Sequence, residues 1–155
     1  MKPVVIRREN ALGKMLQRPG GILASDAWRK ADENLETIRD DCLATIDRRL
    51  AEIEQLHRSR SDRPSDNASR LHAAAYEIKT LAGVFGHGAL GEGAGSLSEL
   101  VERMTDAGGW NVAAIDVHVH ALRRLRQDQD DASSRAVLAG LRQISARVRF
   151  EPPKG

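Results

Sequence analysis

The sequence predicts an all-α protein: an antiparallel four-helix-type bundle with an irregular N-terminal arm and one additional helix. Three observations predict it. Apolar residues recur every three or four positions from Trp28 to Val148. No run shows the two-residue alternation of a half-buried strand. The breaks between periodic runs are short, which favours antiparallel neighbours. A chain of 155 residues is most simply one domain with a sizeable core. The expected division is an arm over 1–24, a bundle over 25–150 and a flexible tail over 151–155.

In the arm, "PVVI" suits a short extended segment and "RPGG" (Arg18 to Gly21) marks a turn. A long helix follows, with Ser25 or Asp26 as its N-cap. Trp28, Ala31, Leu35, Ile38, Cys42, Ile46, Leu50, Ile53 and Leu56 fall on one face of it. Cys42 is read as a packed thiol on that stripe. The polar stretch Arg58–Asn67 contains Pro64 and breaks the period, so it is a loop. A second helix runs from about Ser65 to Phe85, burying Leu71, Ala74 or Ala75, Ile78, Ala82 and Phe85, and "GHG" stops it. A third carries Leu90, Ala94, Leu97, Val101 and Met104 up to the turn "AGGW". A fourth shows Val112, Ile115, Val119, Leu122 and Leu125. "QDQDDASS" (Gln127 to Ser134) then separates it from a fifth with Val137, Leu141, Ile144 and Val148. Pro152 and Pro153 end the ordered chain. The arm or the last helix is expected to pack outside the other four.

Composition narrows the function classes. Net charge is only +2 although 30% of residues are charged, so the charges are interspersed as on solvated helices. Aromatic residues make up 3%, too few for a base-stacking surface, and nucleic acid is not the expected partner. The single Cys42 excludes an intrachain disulfide. No apolar run approaches the roughly 18 residues of a membrane span. "MKPVVIRREN" lacks the apolar core of a secretory signal, so a cytoplasmic protein is expected. HExxH, CxxC and acidic clusters are absent from the sequence, and neither a metal nor a cofactor is implied.

The chemistry-bearing residues concentrate on the second helix. His72, Tyr76, Lys79 and Gly83 are spaced i, i+4, i+7 and i+11, forming a ridge about 100° from the Leu71–Ala75–Ile78–Ala82 stripe. Gly83 costs roughly 1 kcal/mol against alanine in a helix interior, and close approach of a partner would explain it. A plain solvated face with helix-packing glycines explains the same spacing.

The stretch "AYEIKTLAGVFGHGALGEGAGSLSEL" resembles the signature of histidine-containing phosphotransfer (HPt) domains. That signature runs Ala-His-x-Leu/Ile-Lys-Gly, several small residues, a Phe/Leu-Gly turn, a leucine, and a small-x-x-Leu pattern on the next helix. Ala75, Ile78, Lys79, Phe85-Gly86, Leu90, Ala94 and Leu97 match it, over about 25 residues; the helix order extends the likeness to about residue 148. Two positions depart. Tyr76 stands where the family has its phosphoacceptor histidine, and Thr80 stands where it has glycine or another small residue.

The first departure decides the expected chemistry. An HPt domain passes a phosphoryl group between aspartates of receiver domains and needs a neutral nucleophile whose phosphoryl adduct is labile. A phenol with a pKa near about 10 is a poor nucleophile at neutral pH, and its phosphate ester is too stable to return the group. In the family mechanism Lys79 would hold the phosphoryl oxygens.

The resemblance therefore implies a two-component signalling module that is not an enzyme: an adaptor or regulator binding a response-regulator receiver domain or a histidine kinase. His72, Tyr76, Lys79, Thr80 and Gly83 would form its partner-binding surface. Two alternatives remain open: an active phosphotransfer protein using His72, or a structural or oligomerisation bundle. His72 lies one turn earlier, about 6 Å along the axis, against the roughly 3.5 Å that in-line transfer demands. His87, beyond the turn, is more than about 10 Å away by the same rise.

Other features read as structural. His118 and His120 point about 160° apart on a helix and cannot share a metal, and His118 is expected to be semi-buried and hydrogen-bonded. His57 is expected to end the first helix and interact with its dipole. "GEGAGS" (Gly91 to Ser96) lacks a preceding strand and a GK[ST] ending, so close helix packing is the expectation. "RRLRQ" (Arg123 to Gln127) suits a helix C-terminus.

Overall fold

A computed structural model describes residues 24–59, 67–128 and 130–148. Five helices run through them: α1 (Ala24–Arg58), α2 (Ala68–Val84), α3 (Gly88–Asp106), α4 (Val112–Gln127) and α5 (Asp131–Arg147). No strand occurs among the described residues. The all-α expectation therefore holds, with one helix on each of the five expected apolar runs. The arm with its "RPGG" turn, the Pro64 segment and the tail at Pro152 lie outside the described residues, except that Ala24 already belongs to α1. The helix starting there puts Ser25 and Asp26 inside its first turn, so neither is the N-cap.

The chain divides into two compact units, Met1–Ile38 and Arg39–Gly155. In the first, the described part is the beginning of α1. Arg29 bonds Glu33 at 2.7 Å, and the Thr37 hydroxyl donates to the Glu33 carbonyl at 3.0 Å, both along the helix. Trp28, Leu35 and Ile38 are 73%, 59% and 51% exposed. These three were expected in the core and are not. Periodicity identifies an apolar face without saying what covers it.

The second unit holds the core. Ile46, Leu50, Ile53 and Leu56 of α1 are buried, while Cys42 is half-buried. They meet Leu71, Ala75, Ile78 and Ala82 of α2, Leu90, Leu97, Val101 and Met104 of α3, and Ile115, Val119, Leu122 and Leu125 of α4. Val112, expected on that face, is exposed. The α2–α3 pair is the most intimate, and α5 lies on α3 and α4 through Leu138 and Leu141. Ion pairs tie this part of α1 to its neighbours. Arg49 reaches Glu77 at 2.6 Å, Arg70 reaches Glu52 at 3.0 Å, and Arg126 grips both oxygens of Asp47 at 2.7 and 3.0 Å.

Two glycine caps set the turns. After α2, Gly86 has φ +81° and the His87 N–H bonds the Ala82 carbonyl at 3.0 Å. After α3, Gly108 has φ +63° and the Gly109 N–H bonds the Met104 carbonyl at 3.1 Å. Both are Schellman closures, which need a residue at ease with positive φ. The stretch Gln127–Ser134 is only partly a linker. Asp130 accepts from the Ser133 N–H at 2.7 Å and starts α5 at Asp131, so that residues 128–130 alone join it to α4.

Candidate functional site: the outer ridge of α2

The α2 helix separates its residues sharply. Leu71, Ala74, Ala75, Ile78 and Ala82 are buried. Tyr76, Lys79, Thr80 and Gly83 are exposed, and His72 is half-buried. Small alanines on the inner face let α3 come close, which anchors the helix and fixes the direction of the outer ridge. The structure thus brings all five expected residues onto one face.

The ridge has internal order. The His72 ring stacks on Tyr76 with centroids 6.2 Å apart and planes 12° apart. Tyr76 is 56% exposed. The Lys79 ammonium lies 6.0 Å from the centre of the phenol ring, at the outer limit of a cation–π contact. Lys79 has no carboxylate partner among the described residues. The Thr80 hydroxyl donates to the Tyr76 carbonyl at 3.0 Å, turning its polar end back to the helix. The face therefore presents a phenol, an uncompensated ammonium and little other polar chemistry.

Glycines show what shaped the ridge. A Cβ on Gly83 would meet nothing within 4 Å, so packing inside the chain does not require glycine there. On α3 the opposite holds. A Cβ on Gly91 would lie 3.3 Å from the Lys79 carbonyl, and one on Gly93 only 2.8 Å from a Leu125 methyl. A Cβ on Gly95 would lie 3.2 Å from Cδ of Lys79. The lysine stem thus rests on α3, and its ammonium is presented from a supported arm. The glycine-rich run is a packing surface, as expected. Gly95 is a site residue that sequence reading missed. The signal was its i+4 spacing from Gly91, which puts both toward α2. Val84, 71% exposed beside Gly83, was also missed and extends the apolar part of the surface.

The other histidines serve the fold. His118 is fully buried, and its Nδ1–H donates to the Ala114 carbonyl at 2.8 Å. Its Nε2 accepts from the Ser96 hydroxyl at 3.0 Å, with Ser145 closing the cluster at 3.2 Å from Ser96. Burial lowers its pKa, opposed by the Ala114 bond, so the neutral ring is favoured. The burial is deeper than the semi-buried position expected. His120 is exposed on the opposite side, its Nδ1 bonded to the Asp116 carbonyl at 2.8 Å. His57 Nε2 meets Asp116 of α4 at 2.9 Å, a tertiary contact rather than a dipole effect alone. His87 is the N-cap residue of α3, half-buried in the turn. Of the "RRLRQ" cluster, Arg123 pairs with Glu54, Arg126 with Asp47, and Arg124 approaches Asp128 at 3.8 Å. Carboxylates already hold these arginines.

No helix among the described residues is long and apolar enough to cross a membrane. No family model, no curated protein and no solved structure matches the chain.

Proposed function

We propose that the chain is an HPt-like module of a two-component phosphorelay that binds a response-regulator receiver domain or a histidine kinase without accepting a phosphoryl group. The observation that carries this reading is the exposed Tyr76 with the α3-supported Lys79 beside it, on a helix whose opposite face is buried. Tyr76 offers an apolar ring for contact. Lys79 offers a cation to the acidic pocket of a receiver, where in HPt domains a lysine would face the phosphoryl oxygens. Gly83 leaves the backbone open to close approach. Such a module works in the cytoplasm of a bacterium and would titrate, scaffold or inhibit a relay.

The phenol keeps the chemistry silent. A phenol is a poor nucleophile for phosphoryl transfer, and a phosphate ester formed on it would not pass back to an aspartate. Transfer through His72 instead would require shifted docking, because that half-buried ring lies one turn from Tyr76, with ring centroids 6.2 Å apart. Under that alternative, His72→Gln abolishes transfer and Tyr76→Phe does not.

The test is a binding measurement against the receiver and kinase domains of the same genome, by titration calorimetry. At least one should bind, and Lys79→Glu should weaken it about tenfold or more, as for a desolvated interfacial charge. Binding that ignores Lys79→Glu would favour a structural bundle. Label moving from a phosphorylated receiver onto any histidine would overturn the silent-adaptor reading.

A further inference from the structure

The first half of α1 carries an apolar seam that no other described residue covers. Trp28, Ala31, Leu35, Ile38 and Cys42 are spaced 3, 4, 3 and 4, the a and d positions of two heptads. Every residue from 27 to 41 is exposed, Trp28, Leu35 and Ile38 among them. Burying such residues in a partner is favourable by roughly 1.5–3 kcal/mol per large side chain, so a seam of this length seeks an occupant.

The charges beside the seam indicate which occupant. Asp32 and Arg39 occupy the two e positions, and Asn34 and Asp41 occupy g positions. Asp32 and Arg39 have no ion-pair partner among the described residues, whereas Arg29 is already taken by Glu33 and Asp26. In an antiparallel pair e faces e and g faces g; in a parallel pair g faces e. The parallel alignment sets Asn34 against Arg39 and Ala27 against Asp32, with no opposite charges. The antiparallel alignment that stacks Leu35 on Ile38 sets Asp32 against Arg39 of the second copy, and does so twice by symmetry. It also sets Asn34 against Asp41 twice. The seam is complementary to itself in one orientation.

We infer that the protein forms a two-fold antiparallel dimer through residues 28–45 of α1, with Leu35 and Ile38 at its centre, Trp28 facing Thr45 of the second copy at each end, and reciprocal Asp32–Arg39 pairs on its flank. Two-fold symmetry uses the same patch on both copies, so the assembly closes at two chains. Ala31 then faces Cys42 of the second copy. The dimer is independent of any phosphorelay role and would present two α2 ridges to partners.

Sedimentation equilibrium of the full chain tests it. A reversible dimer is expected, and Leu35→Glu should leave a monomer with unchanged helical circular dichroism. Asp32→Arg and Arg39→Asp should each weaken self-association about tenfold, because two attractions become two repulsions. Mixed together, those two variants should form a heterodimer of wild-type strength, since every flank pair is again opposite in sign. Ala31→Cys should form a disulfide with the native Cys42 of the other copy; within one chain the two are about 16 Å apart along the helix and cannot. A wild-type monomer at high concentration overturns the inference, as it would if another segment or protein filled the seam. A dimer untouched by Leu35→Glu, or charge variants that fail to rescue each other, overturns it as well.

Discussion

Helices α2 and α4 both carry histidine, acid and base on amphipathic surfaces, yet they use them in opposite ways. On α4, His118 is locked to Ala114 and Ser96, Asp116 to His57, Arg123 to Glu54 and Arg126 to Asp47. On the outer ridge of α2, Lys79 has no carboxylate among the described residues, Tyr76 is half out in solvent, and Gly83 has no neighbour that needs it. Polar groups that the fold consumes hold the structure. Those the fold leaves unused are where a partner is to be sought.

The sharpest way to break this contrast is to remove one group from each helix. His118→Ala opens a cavity and leaves the Ser96 and Ser145 hydroxyls with only each other, and a loss of about 2–4 kcal/mol is expected in urea unfolding. Tyr76→Ala removes an exposed ring and should change stability by less than about 0.5 kcal/mol. Equal effects would mean that the ridge is structural after all.

Glycines sharpen the same contrast with opposite signs. Gly93→Ala drives a methyl against the buried Leu125 and Leu122, and a net loss of about 1 kcal/mol is expected. Gly83→Ala meets nothing and gains helix propensity, so stability should rise by about 0.5–1 kcal/mol. If Gly83 serves a partner, the same change weakens binding while stabilising the chain.

Acid gives the smallest signal. The unfolded chain protonates a histidine near pH 6.5, while burial holds the folded His118 below that value. The unfolded state therefore binds more protons as pH falls through about 6.5, and stability declines there until the folded ring protonates too. Glu52 and Glu54 act lower down. Their arginine partners hold them below 4.5, so their contribution is complete above that value and lost as pH falls further. Thermal unfolding against pH should show both declines, and His118→Gln should remove only the first.

Much of this was legible in the sequence. The apolar period placed all five helices, and Gly86 and Gly108 marked two turns, because local sterics dictate them. The ridge was legible because helical spacing puts His72, Tyr76, Lys79 and Gly83 on one face, and the HPt resemblance added Thr80. Three things were not. The exposure of Trp28, Leu35 and Ile38 depends on what packs against α1, which no periodicity reports. The start of α5 depended on the Asp130 cap inside a run that looked like linker. The support of Lys79 by Gly95 is a contact between helices, visible only once α2 and α3 are docked.

The central proposal is that the ridge, apart from Thr80, keeps the docking surface of a phosphotransfer domain and has lost its nucleophile. Tyr76→His restores that nucleophile, and the measurement is transfer of labelled phosphoryl from a phosphorylated receiver domain that binds the wild-type chain. Acid-labile label on the Tyr76→His protein, with none on the wild type, is the predicted result. A Tyr76→His protein that binds that receiver and stays unlabelled, or a wild-type chain that takes the label, would contradict the account.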